Sequence, residues 1–412
     1  MKYGLIGEKL GHSFSKEIHE QIAHYSYELC QIPQDELSLF LEKREFCAVN
    51  VTIPYKEAVI SHLDEISDMA REIGAVNTIV NRGGKLFGYN TDFFGMRELI
   101  LKNKIDVSGK KALVLGSGGT SKTAQAVLKS LGAREVYRVS REKKDGTITY
   151  DEAKSEHTDA EILINTTPVG MWPNIYSSPI DIEIFPRLSG VVDAVYNPIR
   201  TKLVVDAKKK NIAATGGLYM LVCQAVKASE YFCDTKIDES IIDKIYNEMK
   251  IKSENIVLVG MPGVGKTTLG NLISKKLSRP IFDTDEEIVK KAGCSIPEIF
   301  KERGESAFRD MESQVIKELS NMGGVIIATG GGAVLREKNV DLLRENGRIY
   351  FLDRELGTIL PTDDRPLSQN RQALEKLYHE RYPIYLKSAD VHIRLGITPE
   401  RDAEKIIEDF IL

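Results

Sequence analysis

The sequence predicts an α/β protein of two or three domains, and three observations carry that expectation. Short apolar, strand-like runs alternate with amphipathic helical windows along nearly all of the 412 residues, the pattern of parallel sheets flanked by helices. The length exceeds one ordinary core, because domains typically hold about 100–200 residues. Two strand-to-glycine-to-helix junctions, Ala112-Leu113-Val114-Leu115-Gly116 and Ile256-Val257-Leu258-Val259-Gly260, sit where a doubly wound sheet binds phosphate.

Composition narrows the partners. Lys plus Arg (56) nearly balance Asp plus Glu (60), so no large positive field exists to hold nucleic acid or an anionic membrane. Small molecules become the expected ligands. The amino terminus reaches Gly4 and Gly7 before an apolar run develops, and no stretch is long enough to span a membrane, so neither a secretory signal nor an anchor is expected. The five cysteines are scattered and never paired as C-x-x-C, which argues for reduced, mostly buried thiols in a cytoplasmic protein.

A polar helical stretch at 236–252 ends in 247–254 without a core-like run, and the main linker is expected there. A second boundary is expected near 103–109. No repeat period or low-complexity segment is visible.

Beyond the linker, Gly260-Met261-Pro262-Gly263-Val264-Gly265-Lys266-Thr267 fits G-x-x-x-x-G-K-[ST] after an apolar strand and before a helix, the context that motif requires. The glycines let backbone N–H groups converge on phosphates. Lys266 offers a point charge to the β and γ oxygens of ATP, Thr267 can ligate Mg²⁺, and Thr268 completes the loop. Phe282-Asp283-Thr284-Asp285 brings two carboxylates to a strand end. Asp283 is either a helix cap or the acid of the magnesium shell, and beside this loop it is the natural metal supplier. Gly330-Gly331-Gly332 leaves room for a substrate against the main chain. Arg309, Arg365 and Arg381 follow in Phe308-Arg309, Arg365-Pro366-Leu367 and Arg381-Tyr382-Pro383-Ile384-Tyr385.

In this order, over about 255–412, these motifs resemble shikimate kinase. The resemblance implies a P-loop domain like that of nucleoside-monophosphate kinases. It makes Asp285 the residue that holds the acceptor hydroxyl and acts as candidate base. Arg309 and Arg381 would grip the shikimate carboxylate, and Arg365 in a mobile lid would neutralise charge on the transferring phosphoryl group. The lid at 360–365 is short and acidic by comparison.

Upstream, Gly116-Ser117-Gly118-Gly119-Thr120-Ser121 follows a strand and precedes a helical window at 123–131, as a dinucleotide-binding turn should, with Ser121 in place of the third glycine. About 20 residues on, where NAD enzymes place an acid on the ribose, stand Ser140 and Arg141. Arg141 with Lys143 and Lys144 can take a 2′-phosphate, which favours NADP(H), while Glu142 weighs the other way. Polar clusters before residue 100, namely Gly11-His12-Ser13-Phe14-Ser15, Asn50-Val51-Thr52-Ile53-Pro54-Tyr55-Lys56 and Asn90-Thr91-Asp92, suggest a polyhydroxylated ligand. Lys56 and Asp92 form a plausible acid/base pair; His12 is equally a structural histidine.

These clusters, with Ala75-Val76-Asn77-Thr78, Asn165-Thr166-Thr167-Pro168, Tyr196-Asn197-Pro198 and the run from Gly217 to Gln224, resemble shikimate dehydrogenase over about 2–230. The likeness implies that Ser13, Ser15, Thr52, Asn77, Asp92 and Gln224 bind the substrate's carboxylate and hydroxyls, with Lys56 and Asp92 catalytic. Nicotinamide would lie near Asn165, Thr166, Tyr196 and Gly217, the pyrophosphate at Gly116, Gly118, Gly119 and Thr120, and the adenosine phosphate near Ser140 and Arg141. Departures are Lys16 for a usual proline, His19-Glu20 for His-Asn, and Ser140-Arg141-Glu142 for Asn-Arg-Thr.

The two resemblances together imply a substrate-binding domain at 1–104 completed by helices from about 218–249, a Rossmann-type NADP domain at 105–217, and a kinase domain at 255–412. They further imply reduction of 3-dehydroshikimate to shikimate with NADPH, then phosphorylation of shikimate to shikimate 3-phosphate with ATP and Mg²⁺. A quinate/shikimate dehydrogenase preferring NAD, fused to the same kinase, is the alternative. No oligomeric state follows from the sequence.

Overall fold

A computed structural model of the chain describes residues 1–11, 13–144, 146–359, 371–396 and 398–411. The chain forms two compact units, the first of Met1–Asn197 with Thr201–Glu248 and the second of Pro198–Arg200 with Met249–Leu412.

The first unit holds two sheets. One contains β1 (Tyr3–Gly7), β2 (Tyr27–Gln31), β3 (Ala48–Val51), β4 (Glu65–Ile66), β5 (Thr78–Arg82) and β6 (Lys85–Tyr89), in the order β2-β1-β3-β5-β6-β4. The expectation of parallel sheets fails here: β5 runs antiparallel to both β3 and β6. The reason is the two-residue turn Gly83-Gly84. Both glycines have positive φ (60° and 85°), the geometry that joins neighbouring antiparallel strands and that side chains rarely adopt.

The second sheet is wholly parallel. It contains β7 (Lys111–Leu115), β8 (Glu135–Ser140), β9 (Thr147–Thr149), β10 (Ile162–Asn165), β11 (Gly190–Asp193) and β12 (Ala213–Thr215), ordered β12-β11-β10-β7-β8-β9. Strands β7, β10 and β11 are buried at every residue, because helices cover both faces. The order in which strands are added reverses between β7 and β10, which opens a crevice at their carboxyl ends. The glycine turn leaves β7 at that crevice and enters the helix Gly119–Ser130.

The helix Leu218–Cys233 serves both sheets. Its Met220 packs with Met96, Val114 and Ile164, and its Ala228 and Phe232 pack with Leu5, Tyr27 and Val80. It lies against the helix Asp92–Lys102 at Gly95, where a Cβ would stand 2.5 Å from the Met220 carbonyl oxygen and 3.1 Å from Gln224 Cβ.

The second unit is one parallel sheet of β13 (Asn255–Val259), β14 (Ile281–Asp283), β15 (Ile326–Ala328), β16 (Gly347–Asp353) and β17 (Val391–Arg394), ordered β14-β15-β13-β16-β17. Strand β13 is central and fully buried. The helices Lys266–Leu277 and Pro399–Ile411 close one core through Leu269, Ile273, Ile406 and Phe410. The break between the two units falls between Glu248 and Met249, within the stretch at 247–254 where the linker is expected, but inside a helix, Ser240–Ser253. That helix is less polar than expected: its Ile242, Ile245 and Met249 are buried and, spaced three and four apart, form one apolar stripe.

The cysteines also depart from expectation. Only Cys223 is buried; Cys47 and Cys233 are exposed and Cys30 and Cys294 half-buried, because Cys47 precedes a strand and Cys233 ends a helix. No helix among the described residues is long and apolar enough to cross a membrane.

Gly95→Ala should therefore drive two packed helices apart, at a cost of about 1–3 kcal/mol typical of overpacking. Chemical denaturation should show this loss together with weaker binding to the cavity that Gln224 lines; an unchanged midpoint would mean the helices yield freely.

Candidate active sites

In the first unit, residues following β1 and β3 face residues following β10 and β11 across a cavity of about 440 Å³. Ser13, Ser15, Thr52, Lys56, Asn77, Asp92, Thr120, Thr166, Tyr196, Gly217 and Gln224 all line it, with Trp172. Lys56 Nζ donates to Asp92 Oδ2 at 2.6 Å, and the side chains are only 14% and 8% exposed. Two charges so far withdrawn from water are held by pairing, and the cavity side of the pair is where a substrate oxygen would meet the ammonium.

Behind this pair runs a chain of buried amides and hydroxyls. Tyr27 donates to Asn50 Oδ1 (2.7 Å), Asn50 Nδ2 to Thr78 Oγ1 (3.1 Å), Thr78 to Asn77 Oδ1 (3.1 Å) and Asn77 Nδ2 to Thr91 Oγ1 (3.0 Å). Thr91 in turn donates to Gln224 Oε1 at 3.4 Å. These bonds hold Asn77 and Gln224 in orientation. Ser13 bonds the hydroxyl of Tyr196, which burial pushes above its ordinary value.

The dinucleotide turn fits an anion. The helix Gly119–Ser130 begins at Gly118 with no acid in its first turn. A Cβ on Gly116 would come within 2.4 Å of Thr166 Oγ1, so only glycine lets the turn pass. Two expected cofactor contacts are placed differently. Asn165 is fully buried behind the cavity, where its Nδ2 donates to Asp193 Oδ1 (3.0 Å) and its Oδ1 accepts from Thr167 N (3.0 Å) and Oγ1 (2.7 Å). It shapes the loop carrying Thr166 and Thr167 and does not line the cavity. Ser140 is buried with its hydroxyl spent on Thr147 Oγ1 (2.9 Å) and the Glu142 carbonyl, so of the pair only Arg141 is exposed. His12 lies outside the described residues.

Asp193 was not singled out by sequence. It is fully buried at the end of β11 and accepts from Asn165, Val195 N (3.0 Å) and Thr201 Oγ1 (2.6 Å). Burial outweighs these donors and pushes its carboxyl up to about 7.

In the second unit the loop after β13 enters the helix Lys266–Leu277 through Gly265, at φ +103°. Gly260 and Gly263 also have positive φ, Val264 is wholly buried as the loop's apolar anchor, and Thr268 is exposed. Lys266 Nζ donates to the Gly260 and Met261 carbonyls, both at 2.9 Å. Thr267 Oγ1 donates to Asp283 Oδ2 at 2.6 Å, while Asp283 Oδ1 accepts from Asp285 N at 2.9 Å. Asp283 is thus a helix cap and a loop partner at once. Its second oxygen and the Thr267 hydroxyl are the hard donors that suit Mg²⁺ beside phosphates.

Asp285, Arg309 and Arg381 converge on the triple glycine. A Cβ at Gly330 would stand 2.6 Å from Asp285 Oδ1, one at Gly332 would overlap the Arg309 guanidinium, and Arg381 Nη1 donates to the Gly331 carbonyl at 3.0 Å. Both arginines are buried. Arg309 is held by Glu312 (2.9 Å) and Glu305 (3.1 Å). Glu312, missed by sequence, is fully buried, with Oε2 on Arg309 and Oε1 2.9 Å from the Gly330 Cβ position. Burial raises its carboxyl, against the pull of Arg309. Its spacing of three from Arg309 on a helix was the available signal. Arg365 and the rest of 360–370 lie outside the described residues.

Comparison with known proteins decides the family. Residues 5–79 match the family model of the shikimate dehydrogenase substrate binding domain, and residues 262–410 that of shikimate kinase. The NADP(+)-dependent shikimate dehydrogenase of Clostridium perfringens strain SM101 is 39% identical over 268 residues, covering 61% of this chain and 98% of that protein. The chain belongs to the shikimate dehydrogenase family. Its carboxy-terminal part is of the shikimate kinase family, so one polypeptide joins the two. Among solved structures, shikimate dehydrogenase 1 from Peptoclostridium difficile is similar with a TM-score of 0.57 at 41% identity, covering 61% of this chain and 98% of that one. A chorismate mutase/shikimate 5-dehydrogenase fusion from Clostridium acetobutylicum gives 0.57 at 37%, covering 60% and 96%. The Thermus thermophilus enzyme in complex with NADP(H) and shikimate gives 0.54 at 31%, covering 60% and 99%.

The raised Asp193 makes a pH prediction. Its ordinary value is 3.8 and its folded value about 7, so between these the folded form holds the extra proton and stability falls as pH rises. Asp193→Asn removes that slope, which amounts to about 4 kcal/mol for about three units. Denaturation profiles from pH 4 to 7 should be flatter for the variant; parallel profiles would count against a neutral, buried Asp193.

Proposed function

We propose that the chain catalyses two consecutive reactions: the first unit reduces 3-dehydroshikimate to shikimate with NADPH, and the second phosphorylates shikimate to shikimate 3-phosphate with ATP. The observation that carries the first is the Lys56–Asp92 pair at 2.6 Å in a cavity walled by hydroxyl and amide groups and bordered by Thr120 of the glycine turn. The nicotinamide supplies the hydride when bound. Ser13 and Ser15 meet the substrate carboxylate, and Thr52, Asn77, Asp92 and Gln224 meet its hydroxyls. Lys56 donates a proton to the carbonyl oxygen as that carbon is reduced, then regains one from water, while Asp92 holds the ammonium in orientation. Arg141 and Lys144, both exposed beside β8, favour a 2′-phosphate and hence NADP(H). Glu142 next to them favours the NAD-preferring quinate alternative, and turnover of quinate and shikimate with each cofactor separates the two.

In the second unit, Arg309 and Arg381 neutralise the shikimate carboxylate beside the triple glycine. Asp285 accepts the hydrogen bond of the attacking hydroxyl. Lys266 and the loop amides of Gly260–Thr267 stabilise charge on the phosphates, as phosphoryl transfer requires. Thr267 and Asp283 would hold Mg²⁺, which draws phosphate oxygens together when bound. Arg365 is assigned to charge neutralisation on the resemblance. Five unbridged cysteines and dependence on NADPH and ATP favour a cytoplasmic location.

Lys56→Ala should lower dehydrogenase turnover by about 10²-fold or more and leave the kinase intact; Lys266→Ala should do the reverse. NADPH loss with 3-dehydroshikimate reads the first activity and ADP release with added shikimate reads the second, so each substitution is scored on both. A coupled assay with 3-dehydroshikimate, NADPH, ATP and magnesium then checks the order in the unsubstituted chain. ADP formed before any reduction, or loss of both activities from either substitution, would sink the assignment.

A further inference from the structure

Proton donation by Lys56 requires one N–H to point at the substrate oxygen, and Asp92 alone does not ensure that. An ammonium has three N–H groups, and a single ion pair leaves the other two free to rotate about it. A second acceptor removes that freedom. Lys56 Nζ has one: it donates to Thr120 Oγ1 at 3.2 Å while donating to Asp92 Oδ2 at 2.6 Å.

Thr120 belongs to the dinucleotide helix Gly119–Ser130, at its second position. The first turn of that helix is seated on the segments that carry the catalytic pair. Gly119 has no Cβ where one would stand 3.0 Å from Lys56 Cβ and 3.2 Å from Ala75 Cβ. Lys122 pairs with Glu57 at 2.6 Å, and Thr123 Oγ1 accepts from Asn90 Nδ2 at 3.1 Å. Glu57 follows Lys56 directly and Asn90 stands two residues before Asp92. Contacts at Gly119, Lys122 and Thr123 thus fix the height and rotation of the Thr120 hydroxyl relative to the ammonium.

We propose that Thr120 is a positioning residue for Lys56, the second acceptor that turns the remaining N–H into the cavity. The loop that cradles the dinucleotide is then also a part of the proton donor's mounting. This rests on Lys56 being that donor. It assigns Thr120 an effect on turnover, where a mere cofactor contact would act on affinity.

Thr120→Val removes the acceptor and keeps the branched shape; Thr120→Ser restores the acceptor. With the full chain, we expect Thr120→Val to lower kcat on the order of tenfold, the loss of one hydrogen bond to a charged group, with KM for NADPH within about twofold. NADPH affinity by titration calorimetry should change little, because the substitution keeps the backbone N–H that Thr120 offers the pyrophosphate, and retained binding also shows the unit folded. In the ligand-free protein, acylation of Lys56 by a small amine reagent, followed by mass spectrometry, should quicken several-fold. Thr120→Ser should reverse both effects. Weakened NADPH binding with normal kcat, or unchanged kcat and acylation rate, would overturn the proposal. Lys56→Ala in the same assay separates the two readings: retained turnover there refutes the donor itself, whereas lost turnover beside a silent Thr120→Val refutes only the positioning. Should Thr120→Val fail to bind NADPH, Thr120→Ala with the same readouts decides.

Discussion

A parallel strand buried on both faces must be joined to the next by a crossover that leaves the sheet at the strand's carboxyl end, and both glycine loops of this chain follow from that constraint. Strands β7 and β13 end in Leu115 and Val259, with no polar side chain at the carboxyl end to offer. The chain must turn sharply at their carboxyl ends to start a helix, and those turns expose unpaired backbone N–H groups. Glycine makes each turn possible, and an anion is the natural partner for what it exposes. Other site residues stand where neighbouring strands end, such as Thr52, Asp283 and Gly330, or on helices packed beside those ends, such as Gln224, Arg309 and Arg381.

The charges at these edges are not there for stability. The Lys56–Asp92 and Arg309–Glu312 pairs are largely withdrawn from water, where desolvation cancels much of their mutual attraction. Apolar residues of the same volume would hold the fold as well. What ion pairs provide is a fixed direction: Arg309 is held by two carboxylates so that its guanidinium abuts Gly332, and Lys56 by two oxygens so that it faces the cavity. Preorganisation of this kind costs folding energy and is repaid at the transition state.

The α/β class, both glycine loops and most cavity-lining groups were legible because each is local: a buried run, a glycine and a helix start within ten residues. What escaped was set by distant partners. Thr120 lies 64 residues from Lys56, and Asp193 lies 28 from Asn165, so no window of sequence joins them. Ser140 read as a cofactor contact, yet its hydroxyl is consumed by Thr147 across a small turn, which only the folded backbone reveals. The antiparallel turn at Gly83-Gly84 was a local signal that the dominant strand-helix alternation masked. Glu312, three residues beyond Arg309, was likewise in view, but a carboxylate on a helix usually faces water, and only its complete burial sets it apart.

The single tryptophan of the chain, Trp172, lines the dehydrogenase cavity. Excited at the long-wavelength edge of its absorption, beyond the band of the sixteen tyrosines, its indole emits from a known place in the first unit. A ligand entering the first cavity therefore meets the one indole of a two-enzyme polypeptide and changes the light the whole molecule gives off.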